Sequence, residues 1–189
     1  MFTSQTFMAY PQAEKTSRKD IFIQKDLEKK KKSCTFAELT RLFPKMDKDE
    51  QYMQKALYEA QQAYDAGEIP IGAVVVCQDR IIARAHNLTE TLHDVTAHAE
   101  MQAITAAANE LGGKYLTDCT LYVTVEPCTM CAGALGWSQI ARVVYGCRDE
   151  KRGYSRYAPE ALHPRCTVTA GVLEEECRSL MQEFFRDKR

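Results

Sequence analysis

From Asp47 to the end of the chain, short β-branched runs alternate with helical repeats, and this alternation limits the possible folds more than any other feature. Met53, Ala56, Leu57, Ala60, Ala63 and Tyr64 recur at helical spacing, with Gly67 placed to end the helix. Residues 72–77 read as a strand, Gln78-Asp79-Arg80 as a turn and residues 81–85 as a second strand, which makes a hairpin. An alanine-rich helix over 97–111 is closed by Gly112-Gly113. A strand over 120–125 then leads into a helix over 128–137, followed by a strand over 142–145. Residues 147–165 read as a loop, 167–169 as a short strand and 172–186 as an amphipathic helix. Such an order predicts an α/β sandwich: one sheet with helices on both faces.

The 46 residues before this pattern differ in kind. They carry ten Lys or Arg against five Asp or Glu, include a lysine run at 29–32 and contain no glycine. Apolar residues between Asp20 and Arg41 hint at short helices but are too few for a core of their own. Residues 1–46 are therefore expected to be a poorly ordered basic extension, and residues 47–189 the folded domain. The formal net charge of −1 is a cancellation, because residues 47–189 hold fifteen basic against twenty-one acidic side chains. No apolar run approaches the ~20 residues that span a bilayer. The start of the chain lacks the features of a secretory signal. A cytoplasmic location is expected, in which the eight cysteines are free thiols or metal ligands rather than disulfides.

Two clusters carry chemistry. Thr96-Ala97-His98-Ala99-Glu100 opens the alanine-rich helix, and Glu126-Pro127-Cys128-Thr129-Met130-Cys131 lies at a strand-to-helix junction. Cys128 and Cys131 are three apart and share a helix face. Pro127 suits the first helical position, which puts both sulfurs in the opening turns, where the helix dipole favours thiolate. With the imidazole of His98, these ligands leave the fourth tetrahedral position of a Zn²⁺ ion open for water, the catalytic rather than the structural arrangement. Glu100 lies about 200° around the helix from His98, so both reach one site only if the ion sits off the helix end. A carboxylate beside the ion can take a proton from water and pass it to a leaving group, as hydrolytic deamination requires.

Blander readings compete with this one. Redox motifs and half zinc knuckles share Cys-x-x-Cys, and a structural zinc site needs a fourth ligand. His86, His93, His163 and the other cysteines could offer one, but none is paired at knuckle-like spacing. A thioredoxin-like role would leave His-x-Glu unexplained. Cys77 and Cys119, in or beside strands, read as small buried apolar residues. Cys34, Cys147, Cys166 and Cys177 receive no function.

The domain resembles the cytidine deaminase-like zinc deaminase superfamily and, within it, the bacterial deaminases specific for tRNA adenosine. The likeness runs through Glu68-Ile69-Pro70-Ile71-Gly72-Ala73-Val74, His86-Asn87, the two clusters, Arg142-Val143-Val144-Tyr145-Gly146 and the closing helix. The resemblance implies a three-layer α/β/α sandwich with a mixed five-stranded sheet. It also implies zinc held by His98, Cys128 and Cys131, Glu100 as proton shuttle, and a base pocket formed by Asn87, Ile71 and Ala99. Read by itself, Asn87 is equally a turn or cap residue. The implied substrate is the wobble adenosine of a tRNA anticodon stem-loop, and the implied assembly is a homodimer.

The sequence departs from this family in two places. Trp137 stands where many members have histidine, and related guanine deaminases share the tryptophan. It favours the alternative of a free base or nucleoside, such as guanine or cytosine, unless it is a core or dimer-face aromatic. The loop after Gly146 also looks shorter. Its Arg148, Lys151, Arg152, Arg156 and Arg165 interleave with Tyr154 and Tyr157, which suits phosphate contact and stacking on unpaired bases. Arg148, Arg152 and Arg156 are the candidate RNA contacts, with a solvated loop as the competing reading. A further basic cluster, Arg186, Lys188 and Arg189, ends the chain.

The acidic helix start Met46-Asp47-Lys48-Asp49-Glu50 suggests that Met46 is the true initiator. Mass spectrometry of the native N-terminus is expected to find chains beginning at or just after Met46; a mature chain beginning at Met1 overturns this.

Overall fold

In the computed structural model, which describes residues 46–188, five strands form one mixed sheet in the order β2-β1-β3-β4-β5. The basic extension, its expected short helices, Cys34 and Arg189 lie outside the described residues. In chain order the elements are α1 (Lys48–Asp65), β1 (Gly72–Cys77), β2 (Arg80–His86), α2 (Ala99–Leu111) and β3 (Cys119–Val125). They continue with α3 (Thr129–Trp137), β4 (Arg142–Cys147), α4 (Tyr154–Tyr157), β5 (Thr167–Ala170) and α5 (Glu174–Asp187). β1 pairs antiparallel with both β2 and β3, whereas β3–β4 and β4–β5 are parallel. Parallel neighbours need a crossover, and α3 supplies it between β3 and β4.

Side-chain alternation divides the core into two. Ala73, Val75, Leu121, Val123 and Val143 face α2 and α3, meeting Ala99, Ala103, Ala107, Ala132 and Leu135. Val74, Val76, Tyr122 and Val144 face the other way, toward Met53 and Ala56 of α1 and Cys177 of α5. The expected α/β/α sandwich is what forms. Among the described residues, no helix is long and apolar enough to cross a membrane.

Local signals explain most boundaries. Asp47 and Glu50 form a capping box on α1, with Asp47 N donating to Glu50 Oε2 at 3.2 Å. The turn Gln78-Asp79 has φ of 49° and 59°, a type I′ hairpin matched to the strand twist. Gly112 takes the left-handed conformation that ends α2. Asp49, in the first turn of α1, binds Arg142 through both guanidinium Nη atoms, at 2.9 and 2.6 Å, and accepts from Tyr122 Oη at 2.8 Å. This anchors α1 to the middle of the sheet.

Two expectations need correction. Pro127 is not the first residue of α3: Cys128 is the N-cap, extended at φ −73° and ψ 172°, and Pro127 precedes it. The expected loop at 147–165 contains the short helix α4, started where Tyr154 N donates to Pro127 O at 2.9 Å.

Gly72 packs so closely on α1 that an added Cβ would sit inside contact distance of Ala56 O and Ala60 N, both backbone atoms. Gly113 has open space around it. Gly72→Ala is expected to lower unfolding stability by about 1–3 kcal/mol in thermal or denaturant melts, and Gly113→Ala to be near neutral.

Candidate active site

The two clusters converge because both begin helices that start at one end of the sheet. His98 is the N-cap of α2, extended at φ −68° and ψ 154°, and Cys128 is the N-cap of α3. Neither side chain caps its own helix, so both are free to face each other. Cys131 lies in the first turn of α3. His98 Nδ1 is 3.6 Å from Cys128 Sγ and 3.5 Å from Cys131 Sγ.

These spacings fit a metal. A tetrahedral zinc ion, with bonds of about 2.3 Å to sulfur and 2.0–2.1 Å to nitrogen, would set its N and S ligands about 3.6 Å apart. Among the described residues, His98, Cys128 and Cys131 are the group of three that could hold an ion, their ligand atoms lying within 4.8 Å of one another. The thiols are already polarised. A hydrogen bond from Cys131 pulls Cys128 down to about 4, against the cost of burial and with help from His98. Cys131 is pushed up by the same hydrogen bond and by burial. The Cys128 sulfur, in turn, raises His98.

Glu100, in the first turn of α2, is 3% exposed, and its Oε2 has no hydrogen-bond partner among the described residues. Burial raises its carboxyl to about 7. A buried carboxylate oxygen left without a donor is costly unless something in the working site meets it.

The site opens into a cavity of about 800 Å³ that includes Ile71, Asn87, His98, Glu100 and Cys128 in its wall. Asn87 is not a simple turn residue. It is buried, and both amide hydrogens are engaged: Nδ2 donates to Glu68 Oε2 at 3.0 Å and to Thr89 Oγ1 at 2.9 Å. Oδ1 is left as the acceptor free for a ligand. Ala99 is different from Asn87 and Ile71. As the first residue of α2, it is fully buried against the sheet and is not part of the cavity wall.

The basic loop is also divided. Arg148, Lys151 and Arg152 line the cavity. Arg156 does not, because it donates to Glu150 O at 2.8 Å and lies over the Tyr157 ring. Trp137, 86% exposed, is away from this cavity and borders a smaller one with Tyr115, Leu162 and His163.

The structure adds two residues that the motifs alone do not single out. Glu68, 0% exposed, accepts from Asn87, from Thr89 Oγ1 and from the N–H groups of Glu90 and Thr91. Burial works to raise its carboxyl, but the Thr91 and Glu90 N–H groups outweigh this and hold it below the usual range. Glu126, also buried, accepts from Asp149 N at 3.2 Å and Ser155 N at 3.1 Å, and so fixes the basic loop. Gly153 packs directly on that carboxylate, leaving no room for a Cβ. The sequence signals are Glu-x-Pro before β1 and Glu-Pro-Cys after β3. From α5, Arg178, Met181 and Phe185 reach the cavity too, with Arg178 ion-paired to Glu174 and Glu175.

Three donors with no fourth protein ligand among the described residues, next to a buried carboxylate with one oxygen left without a partner there, define a metal-dependent hydrolase site rather than a structural zinc knot. Residues 46–147 match the model of the cytidine and deoxycytidylate deaminase zinc-binding region, and the chain belongs to that family. Zn²⁺ is its metal. It is 48% identical over 149 residues to the tRNA-specific adenosine deaminase of Bacillus subtilis, covering 76% of this chain and 92% of that protein. It is similar to a solved structure of a tRNA:A34 deaminase that performs A-to-I editing at the wobble position (42% identity, TM-score 0.65, 69% of this chain and 98% of the other). It is also similar to the guanine deaminase of Nitrosomonas europaea (26% identity, TM-score 0.64, 71% of this chain and 83% of that one).

Zinc analysis of purified protein checks the donor set. The expected content is near one zinc per chain, falling several-fold in His98→Ala, Cys128→Ser and Cys131→Ser and unchanged in Glu100→Gln.

Proposed function

We propose that this chain deaminates the wobble adenosine of a tRNA anticodon loop hydrolytically, giving inosine and ammonia. The observation that carries the reading is the buried Glu100 carboxylate, whose Oε2 has no partner among the described residues, beside the His98, Cys128 and Cys131 donors at the cavity wall, in a chain so similar to tRNA-specific adenosine deaminases. His98, Cys128 and Cys131 would hold Zn²⁺, which supplies the Lewis acidity that makes water nucleophilic at neutral pH. Glu100 takes a proton from the attacking water and returns it to the departing 6-amino nitrogen. Burial raises this carboxyl, which favours its taking up a proton before handing it on.

Asn87 orients the flipped-out base. With Nδ2 held by Glu68 and Thr89, its Oδ1 is left to accept from the 6-amino group, the one N–H donor of an adenosine's base, and Ile71 supplies apolar contact. Arg148 and Arg152 line the cavity and are the side chains offered to a nucleotide's phosphates in this reading, with Lys151 beside them. A free base has no phosphate to place there. Trp137, the residue that favours a free base, does not reach the cavity.

Residues 47–189 make the deaminase domain in this reading, and the protein works in the cytoplasm, where tRNA is edited, as a homodimer. Support for the dimer comes from α3, whose Trp137 is exposed and whose Met130, two turns earlier, is only half-buried.

The assay uses an anticodon stem-loop bearing wobble adenosine, and separately guanine, cytosine and cytidine. Inosine is expected from the stem-loop, with the rate reduced about 10²–10⁴-fold in Glu100→Ala. Activity on a free base alone would overturn the proposal in favour of a nucleobase deaminase. No activity on any substrate, with stoichiometric zinc present, would favour a zinc-stabilised binding module.

A further inference from the structure

Two cysteines outside the metal cluster face each other across the sheet. Cys77 ends β1, Cys119 begins β3, and they are direct partners in the antiparallel ladder. The hairpin determines which kind of partner. Its two-residue turn, Gln78-Asp79, closes on the pair Cys77 and Arg80. In such a hairpin the closing pair exchanges the backbone hydrogen bonds, so the N–H and C=O of Cys77 point to β2, away from β3. The N–H of Cys119 is engaged as well, donating to Leu116 O at 3.0 Å. Cys77 and Cys119 are therefore a non-hydrogen-bonded pair. That is the closer kind, with Cα atoms about 4.5 Å apart and both side chains on one face. A disulfide spans Cα separations of about 4.4–6.8 Å, so the pair can close without moving the strands.

The surroundings divide the chemistry between the two thiols. Both pack on the core beneath α2 and α3, but Cys119 is buried and Cys77 only half-buried. Burial pushes the Cys119 thiol up to about 12, and the adjacent Cys77 adds to the shift. The site is remote from the metal donors: Cys119 starts the seven-residue β3, and Cys128 follows its far end, roughly 20 Å along the strand.

We propose that Cys77 and Cys119 form a reversible dithiol–disulfide pair, a modification site that a low-molecular-weight disulfide can oxidise. The Cys77 thiolate attacks one sulfur of that disulfide, giving a mixed disulfide and expelling one small thiolate. Cys119 loses its proton to solvent and attacks the Cys77 sulfur, expelling the second. Two protein thiols are oxidised, and one small disulfide is reduced to two thiols. The ring so closed contains Asn87, His98 and Glu100, so oxidation ties down the chain segment that carries half of the site.

The test treats zinc-loaded protein with oxidised glutathione, blocks free thiols by alkylation and digests without reduction. The expected product joins the tryptic peptide ending at Arg80 to the one beginning at Tyr115. Tandem mass spectrometry assigns the bond to Cys119, which shares its peptide with Cys128 and Cys131. Dithiothreitol reverses the link, and Cys77→Ser and Cys77→Ala abolish it. A stable glutathione adduct on Cys77 with Cys119 alkylated would overturn the proposal, as would a bond from Cys77 to any other cysteine. None of these readouts depends on deaminase activity, so this inference and the proposed function stand or fall separately.

Discussion

Two helix N-termini have to meet at one end of the sheet, and much of the surrounding packing serves that requirement. α2 approaches the strands through a row of small side chains, Ala99, Ala103 and Ala107, so its first turn lies close to that of α3. Larger residues in that row would lift α2 and draw His98 away from the two sulfurs. Both N-caps are extended, and neither side chain bonds to its own helix. An ordinary N-cap uses its side chain to satisfy a free N–H and is thereby lost to other chemistry. Here the caps serve the site instead, and the positive ends of both helices favour the thiolate that a metal needs.

Two loops of the cavity wall follow a second rule, which is that each is fixed by a buried carboxylate rather than by apolar packing. Glu68 folds residues 87–91 around four donors, and Glu126 folds residues 149–155 around two backbone N–H groups. Hydrogen bonds to a charged group contribute about 1.5–3 kcal/mol each, and a buried carboxylate that loses them bears a heavy desolvation cost. Such loops hold one shape without filling the pocket with side chains. The same bonds choose the orientation of Asn87, because an amide with both hydrogens engaged presents only its oxygen.

The sequence made the layers legible through periodicity, since period-2 and period-3.6 patterns reflect which face is buried. The pairing of His98 with Cys128 and Cys131 was legible through chemistry, because few other arrangements use those residue types at two helix starts. Strand order was not legible. Nothing in β4 or β5 announces a parallel neighbour; the family resemblance implied only a mixed sheet, and the order came with the structure. The misplacement of Pro127 has a physical origin: proline is equally compatible with the extended residue before an N-cap and with the first helical turn. Helix α4 was missed because four residues carry no period; it exists through long-range bonds to Pro127 and Glu126. Ala99 illustrates a further limit. Adjacency to His98 and Glu100 in sequence places its methyl a third of a turn away from the site, in the core.

Charge shows why position matters more than totals. Arg148, Lys151 and Arg152 alternate with Asp149 and Glu150, so the loop carries little net charge. Both signs stay at the cavity wall, which Asp149 and Glu150 line beside the three cations. Asp149 turns inward on its own loop, where its Oδ1 accepts from the N–H groups of Lys151 and Arg152. Arg178, from α5, is already paired with Glu174 and Glu175. Among the described residues, Arg148, Lys151 and Arg152 are the cations of the cavity wall in no ion pair. The acidic domain thus places three cations without ion-pair partners beside its site, but with Asp149, Glu150 and Glu174 at the same wall they make a local mixed patch and not a basic face.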